Sequence, residues 1–183
     1  MLRVLNPLRE PLLRRTVGAL QLPAASRGLD AGCGAGLQTL LLAEAVGDRG
    51  RITGLDLSQP LLDHAEEMVQ AVGLSEQISF RQGDVNQLPF DDNTFDWAWS
   101  VDCVGYAPID PLPAIGELMR VVKPGGTVAL LAWSSERLLP GYPLLEARLS
   151  ATSSGIAPFS AGAPPARYFL HAERTAAKCR PAS

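Results

Sequence analysis

The fold is decided by the stretch Leu29-Asp30-Ala31-Gly32-Cys33-Gly34-Ala35-Gly36, in which three glycines alternate with other residues. The residues before the glycines are typical of the end of a short strand, and Leu37–Val46 is typical of a helix. Glycine has no Cβ, so the backbone can turn tightly there and come close to a ligand. The sequence therefore predicts a strand, a glycine turn and a helix N-terminus that together cradle a ligand.

An isolated acid ends the next strand-like run, Arg51–Asp56, twenty residues beyond Gly36. A carboxylate at that place can accept hydrogen bonds from both hydroxyls of a ribose. Leu57 follows it directly and can pack on the face of an adenine. The pair predicts a ligand that contains a nucleoside.

The glycine spacing separates two classes of nucleoside cofactor. A dinucleotide site has the pattern G-x-G-x-x-G, with the third glycine opening the helix beside a pyrophosphate. Here the third glycine comes one residue early and Leu37 fills the dinucleotide position. The spacing disfavours a nicotinamide-dependent oxidoreductase, while a plain glycine turn stays open as the alternative for this motif alone.

Strand and helix signals alternate along the chain. Strands are predicted at residues 27–30, 51–56, 77–82, 95–100 and 127–133, and helices at 12–20, 37–46, 58–72 and 111–122. Such alternation predicts a doubly wound α/β fold with a mostly parallel sheet and right-handed crossovers. Ligands bind these sheets at the carboxyl ends of the strands, where the glycines, Asp56, Asp84 and Ser100 all fall.

A second acid follows the third predicted strand in Gly83-Asp84-Val85. Asp84 can accept a hydrogen bond from the exocyclic amine of adenine, while the backbone N–H of Val85 can meet a ring nitrogen. Further segments follow at Leu88-Pro89-Phe90, Asp91-Asp92-Asn93, Phe95-Asp96-Trp97-Ala98-Trp99-Ser100 and Val122-Lys123-Pro124-Gly125-Gly126.

In this order and at these intervals, the segments resemble the class I S-adenosylmethionine-dependent methyltransferases, especially the small-molecule type of ubiquinone and menaquinone biosynthesis. The resemblance covers residues 29–133 and implies a Rossmann-like fold, S-adenosyl-L-methionine as cofactor and a small-molecule methyl acceptor. The cofactor-binding residues that it implies are Asp30, Gly32, Cys33, Gly34, Gly36, Asp56, Leu57, Asp84, Val85 and Ser100.

Four residues carry two readings each. The resemblance implies that Asp30 touches the amino end of the cofactor through water, but Asp30 can instead fix the glycine loop by accepting backbone N–H bonds. Cys33 is read as a small filler rather than a nucleophile, because no histidine lies near it in sequence. Trp97 and Trp99 are expected in the core, although aromatic rings can also wall a sulfonium site.

Asp102 is the candidate catalytic base. It follows strand four, where the acceptor is expected, and the alternative is that it caps a loop. The first function hypothesis is a methyltransferase acting on O, N or C of a small molecule. The second is a non-catalytic S-adenosylmethionine-binding protein derived from a truncated methyltransferase.

The chain's end departs from the resemblance. The family has seven strands, and its last two form a hairpin, but no pair of apolar, β-rich runs occurs among the fifty residues after Trp133. We therefore expect a cofactor-binding domain at 1–133, capped by helix 12–20, and a C-terminal segment at 134–183 that is partly loop or disordered, notably at 150–166. Strand five would lack an outer partner, and a free edge of this kind favours a homo-oligomer.

Composition excludes several other classes. A net charge of −3 gives no reason to expect nucleic acid or an anionic membrane as partner. Three cysteines without a C-x-x-C pair, and two histidines, argue against a metal site and fit a reducing cytoplasm. No apolar run approaches membrane-spanning length. The arginine-rich start resembles a targeting peptide, but a first helix lying against the domain is favoured.

Overall fold

The fold is one six-stranded sheet with packed helices on both faces. The computed structural model describes residues 2–104, 111–131 and 170–173. The strands are β1 (Arg27–Ala31), β2 (Arg51–Asp56), β3 (Ile78–Gln82), β4 (Phe95–Val101), β5 (Val122–Leu131) and β6 (Leu170–Glu173). The helices are α1 (Leu2–Ala19), α2 (Leu37–Val46), α3 (Gln59–Ala71) and α4 (Leu112–Val121).

The strand order is β3-β2-β1-β4-β5-β6, and β1 to β5 run parallel. The chain builds outward from β1 through β2 and β3, then restarts on the other side of β1 with β4 and β5. This reversal places the topological switch point between β1 and β4, where such sheets bind their ligands at the carboxyl ends of the strands. The predicted Rossmann-like, doubly wound α/β fold is confirmed.

The side chains of β4 alternate between two hydrophobic cores. Trp97 and Trp99 lie in the core that α1 and α2 cover, and Ala98 lies in the core that α4 covers. Trp97 Nε1 donates a hydrogen bond to Ser26 Oγ at 2.8 Å, and Trp99 Nε1 donates to Gln38 Oε1 at 3.0 Å. Because each buried indole has its N–H satisfied, both rings can fill the interior without a desolvation penalty. The predicted core role of the two tryptophans is confirmed.

Helix α1 begins ten residues earlier than expected. It runs from Leu2 through Pro7 and Pro11, so the prediction of a helix starting at residue 12 is wrong. A proline takes one N–H out of the ladder of helical hydrogen bonds, which weakens a helix but need not end it. Leu13 and Val17 are buried together with residues of α2, so the helix packs on the domain. No helix in the described ranges is long and apolar enough to cross a membrane.

Strand β5 also begins early, at Val122 instead of Thr127. The segment Pro124-Gly125-Gly126 therefore lies inside the strand, where the pairing with β4 shifts register. Gly125 has a φ of 82°, and a Cβ on Gly126 would overlap the carbonyl oxygen of Asp96. Residues 123–126 of β5 lie between two paired positions that are only two residues apart in β4, and the two glycines allow this bulge.

The outer edge of β5 has a partner, so the expectation of a free edge is wrong over residues 127–130. Strand β6 pairs with it antiparallel, from Thr127 opposite Glu173 to Leu130 opposite Leu170. Pairing satisfies N–H and C=O groups that an edge strand leaves open, and the oligomer expected through this edge loses that basis. The four residues of β6 include no β-branched side chain, which is why the sequence did not mark them as a strand. The segment 150–166, expected to be loop, lies outside the described residues.

Candidate functional site

The glycine loop joins β1 to α2 at the carboxyl end of the sheet, and each of its glycines has a positive φ. The angles are 80° at Gly32, 53° at Gly34 and 74° at Gly36. A Cβ on Gly32 would overlap the Cys103 side chain, and a Cβ on Gly36 would lie 2.9 Å from the Cβ of Ala65. Nothing lies within 4 Å of the Cβ position of Gly34. Two of the glycines are therefore needed for packing, and Gly34 is the one that faces open space.

Strand β2 holds this loop through its backbone and its last side chain. The N–H groups of Gly32 and Cys33 donate to the carbonyl oxygen of Leu55 at 2.7 and 3.0 Å. The N–H of Gly34 donates to Asp56 Oδ2 at 2.8 Å. The loop conformation is thus fixed by the protein alone, before any ligand is considered.

The Asp56 carboxylate lies at the centre of the candidate site. Its Oδ2 accepts from Gly34, and its Oδ1 accepts from the N–H of Ser58 at 2.9 Å. Each oxygen keeps a second lone-pair direction, so the carboxylate is oriented but can still accept from a ligand. Leu57 beside it is 65% exposed. Its carbonyl oxygen accepts from Gln82 Nε2 at 2.9 Å.

Asp30 lies behind the loop, with only 2% of its surface exposed. Its Oδ2 accepts a hydrogen bond from Thr39 Oγ1 of α2 at 2.7 Å. Burial raises the pKa of Asp30 to about 7; the hydrogen bond from Thr39 opposes that rise, and the charge of Asp56 adds to it. No hydrogen bond joins Asp30 to a loop N–H in the described part of the chain, so the alternative in which Asp30 fixes the loop is wrong, and its contact with the cofactor stays a prediction. Asp30 instead ties β1 to α2, because Leu55 and Asp56 already take the loop's donors.

The surroundings of both thiols in the site, that of buried Cys33 and that of half-buried Cys103, disfavour the thiolate. Burial raises the pKa of Cys103 to about 11, with smaller contributions from the charges of Asp56, Asp30 and Asp84. Burial raises the pKa of Cys33 further still. A nucleophilic cysteine needs the opposite environment, one that stabilises the thiolate. The reading of Cys33 as a small filler residue therefore agrees with its surroundings.

Asp84 lies in a tight turn after β3. Its Oδ1 accepts from the backbone N–H of Asn86 at 2.8 Å and from Asn86 Nδ2 at 2.9 Å. Val85 packs its side chain against the core on the α4 face, so its backbone is the part that can reach a ligand. Asp84 itself is exposed, at the same edge of the sheet as Asp56 and Leu57.

The end of β4 brings two further predicted residues to this edge. Ser100 is 2% exposed, and its hydroxyl interacts only weakly, with the Cys103 thiol, among the described residues. Asp102 is half-buried in the left-handed region at φ 53°, and its N–H donates to the carbonyl oxygen of Leu131 at 2.9 Å. Aspartate tolerates this conformation better than most residues, which suits the sharp turn after the strand.

Several site residues escaped the sequence analysis. Thr39 and Gln82 position Asp30 and Leu57, Asn86 holds Asp84, and Cys103 packs on Gly32. Asn86 lies two residues after an aspartate, where such turns commonly form, and that signal could have been used. The other three act through contacts between distant segments and leave no local pattern.

A glycine loop before a helix, with single carboxylates after the next two strands, defines a class I S-adenosylmethionine-dependent methyltransferase domain. The chain belongs to this family: the family model described as "Methyltransferase domain" matches residues 29–130. It is 36% identical over 126 residues to the demethylmenaquinone methyltransferase of Bacillus cereus, covering 69% of this chain and 52% of that protein.

Solved structures agree on the fold. The 4+2 cyclase SpnF matches with a TM-score of 0.60 and 32% identity, over 67% of this chain and 46% of the other. A SAM-dependent methyltransferase from Aquifex aeolicus matches with a TM-score of 0.63 and 26% identity, over 79% and 78% of the two chains. The chain spans about half the length of the curated relatives it matches.

Asp30 gives a prediction for the pH dependence of stability. Folding raises its pKa from 3.8 to about 7, so between these values the folded protein keeps a proton that the unfolded chain has lost. This carboxyl therefore makes the fold less stable as pH rises through that window. Asp30→Asn removes the penalty, which is at most on the order of 4 kcal/mol at about 1.4 kcal/mol per pK unit.

The measurement is urea denaturation of wild type and Asp30→Asn at about pH 5 and about pH 7.5. The free energy of unfolding of Asp30→Asn should exceed that of wild type by more at about pH 7.5 than at about pH 5, because only wild type is destabilised as the pH rises. Asp48→Asn is the matched control, because Asp48 is exposed and lies just before the amino end of β2. This variant should show no such change. A difference between Asp30→Asn and wild type that is the same at both pH values contradicts the prediction.

Proposed function

We propose that this chain is an S-adenosylmethionine-dependent methyltransferase that acts on a small-molecule acceptor. The observation that carries the proposal is the open space in front of Gly34, which is bordered by the oriented carboxylate of Asp56. Exposed Leu57 and the held carboxylate of Asp84 lie along the same edge. The curated relative's name makes a quinone-type compound the first acceptor to test.

Each part of the cofactor has a matching group. The ribose hydroxyls would donate to the lone pairs that Asp56 keeps, and the adenine would lie on Leu57. The adenine amine would donate to Asp84, with the backbone of Val85 at the ring edge. The amino-acid end would lie against the glycine loop at the N-terminus of α2, where helix N–H groups favour a carboxylate.

The charge of the site suits this cofactor better than a dinucleotide. S-adenosylmethionine is a net cation at neutral pH, because its sulfonium and ammonium outweigh its carboxylate. The charges of Asp56 and Asp84 both act on the Cys103 thiol, so the region beside Cys103 is electrostatically negative. Such a region attracts a sulfonium cation and repels a pyrophosphate.

Methyl transfer from a sulfonium requires little acid–base catalysis by the protein. When bound, the cofactor supplies an electrophilic methyl group on a sulfonium that leaves as a neutral thioether. The chain's own task is to hold the acceptor in line with that methyl group and to exclude water. A general base is needed only if the acceptor atom must lose a proton, and Asp102 at the end of β4 is the residue we propose for it.

We also propose residues 1–133 as the cofactor-binding domain, to whose sheet Leu170–Glu173 adds an edge strand. A cytoplasmic location and the absence of a nucleic-acid partner stay predictions from composition. One structural relative is named a cyclase, so the fold alone does not fix the reaction. Transfer of a labelled methyl group to a panel of quinol and other small acceptors tests turnover and separates an enzyme from a protein that only binds the cofactor.

Asp56→Ala should weaken binding of S-adenosylmethionine by at least about tenfold, because charge-assisted hydrogen bonds to the ribose are worth roughly 1.5–3 kcal/mol each. Titration calorimetry on the full chain measures the affinity. Asp48→Ala removes the same charge from the opposite edge of the sheet and should leave the affinity unchanged. Failure of the wild type to bind, or equal affinities for wild type and Asp56→Ala, would falsify the assignment of this site.

Gly34→Val should abolish cofactor binding, because its branched side chain would fill the open space in front of the loop. Backbone strain alone could also disturb the loop, since Gly34 has a positive φ. Gly73→Val is the matched control: Gly73 has a φ of 73°, and no atom lies within 4 Å of its Cβ position. Calorimetry should show normal affinity for Gly73→Val and none for Gly34→Val; similar affinities for both would mean that the cofactor does not approach this loop.

Asp102→Asn should lower turnover with a protonated acceptor while the affinity for S-adenosylmethionine stays nearly the same. Loss of a positioned general base costs about 10²- to 10⁴-fold in rate. Single-turnover methyl transfer and calorimetry measure the two quantities separately. An equal loss of affinity would place Asp102 in the cofactor site or in the fold, and unchanged turnover would make it a loop residue.

A further inference from the structure

The turn after β3 holds one carboxylate oxygen of Asp84 and leaves the other open. Asp84 Oδ1 accepts hydrogen bonds from the backbone N–H and from Nδ2 of Asn86, at 2.8 and 2.9 Å. Within the described residues, Oδ2 accepts no hydrogen bond. The backbone closes the same turn, because the N–H of Gln87 donates to the carbonyl oxygen of Asp84 at 3.1 Å.

We propose that Asn86 is a positioning residue that fixes the direction of the Asp84 carboxylate and thereby makes the site select adenine over hypoxanthine. This inference rests on the proposed function, since it concerns the base of the same cofactor. Asn86 is exposed and does not contact the reacting atoms, so it acts only through Asp84.

The place of the turn is set by the neighbouring strand. Gln82 lies opposite Asp56 in the register of β2 and β3, and the N–H of Gly83 donates to the carbonyl oxygen of Asp56 at 3.0 Å. Gln82 also holds the carbonyl of Leu57. Asp84 and Leu57 therefore leave adjacent strands at the same level. With its backbone fixed, the remaining freedom of Asp84 is the rotation of its side chain, and Asn86 restricts that rotation.

The two bases present opposite hydrogen-bonding patterns at this edge. Adenine has a donating amine beside an accepting ring nitrogen, whereas hypoxanthine has an accepting oxygen beside a donating ring N–H. A carboxylate held towards the amine position faces the oxygen of hypoxanthine with like partial charge. A carboxylate that is free to rotate could instead accept a hydrogen bond from the ring N–H of hypoxanthine. Selectivity therefore depends on the restraint as well as on the charge.

A graded series of variants tests the restraint. Asn86→Ala keeps the backbone N–H but loses the side-chain donor, and Asn86→Asp places a second carboxylate against Asp84. Gln87→Ala is the matched control, because Gln87 lies in the same turn and its side chain makes no hydrogen bond within the described residues. Thermal melting checks that all three fold like the wild type, as expected at exposed positions.

The probes are S-adenosylhomocysteine and its deaminated analogue, in which hypoxanthine replaces adenine, titrated into the full chain by calorimetry. Wild type and Gln87→Ala should prefer the adenine compound by the same factor. The preference for the adenine compound should fall by about three- to tenfold in Asn86→Ala, the loss expected for one ordinary hydrogen bond at an exposed position, and further in Asn86→Asp.

Three other outcomes would contradict either the role of Asn86 or the proposed function. If Asn86→Ala lowers the affinity for both compounds equally, or leaves both affinities unchanged, Asn86 does not govern the choice of base. The inference is then overturned while the proposed function stands. If the wild type binds neither compound, the proposed function itself fails. If Gln87→Ala narrows the preference as much as Asn86→Ala does, the turn backbone is responsible and the assignment to the Asn86 side chain is wrong.

Discussion

The candidate site depends on one carboxylate, that of Asp56, which receives the backbone N–H of Gly34 with one oxygen and that of Ser58 with the other. These bonds tie the glycine loop after β1 to the turn after β2. Charge-assisted bonds to backbone N–H groups are among the stronger hydrogen bonds available to a protein. Since both partners are backbone groups, the bonds set the distance between two loops whatever side chains those loops carry.

The same bonds make the site ready for its ligand before the ligand arrives. The loop donors of Gly32, Cys33 and Gly34 are all satisfied from β2, so the open space in front of Gly34 exists in the protein alone. A site that is already ordered loses less conformational entropy on binding. A change at position 56 therefore alters the glycine loop itself, besides any contact that the carboxylate makes with a ligand.

Local sequence patterns predict most of the fold and the glycine loop of the site. Glycine spacing, acids at strand ends and alternating apolar runs all involve residues that are close together in the sequence. The five parallel strands, the glycine loop and the buried Trp97 and Trp99 followed from such patterns. The structure differs from the prediction where contacts between segments distant in sequence determine it. Strand β6 forms by pairing with β5, and Asp30 accepts a hydrogen bond from Thr39 and none from the loop. The site roles of Asp56, Asp84 and Asp102 stay predictions.

The position of Asp30 resolves an electrostatic conflict within this arrangement. Two carboxylates close to one small loop repel each other, and the repulsion is stronger when one of them is shielded from water. Burial raises the pKa of Asp30 to about 7, so near neutral pH it can keep its proton and withdraw a negative charge from beside Asp56. Asp30 accepts the hydrogen bond of Thr39 from α2 in either protonation state, because a neutral carboxyl keeps an accepting oxygen. The Asp56 carboxylate remains on the side of the open space in front of Gly34, where it can still accept from a ligand.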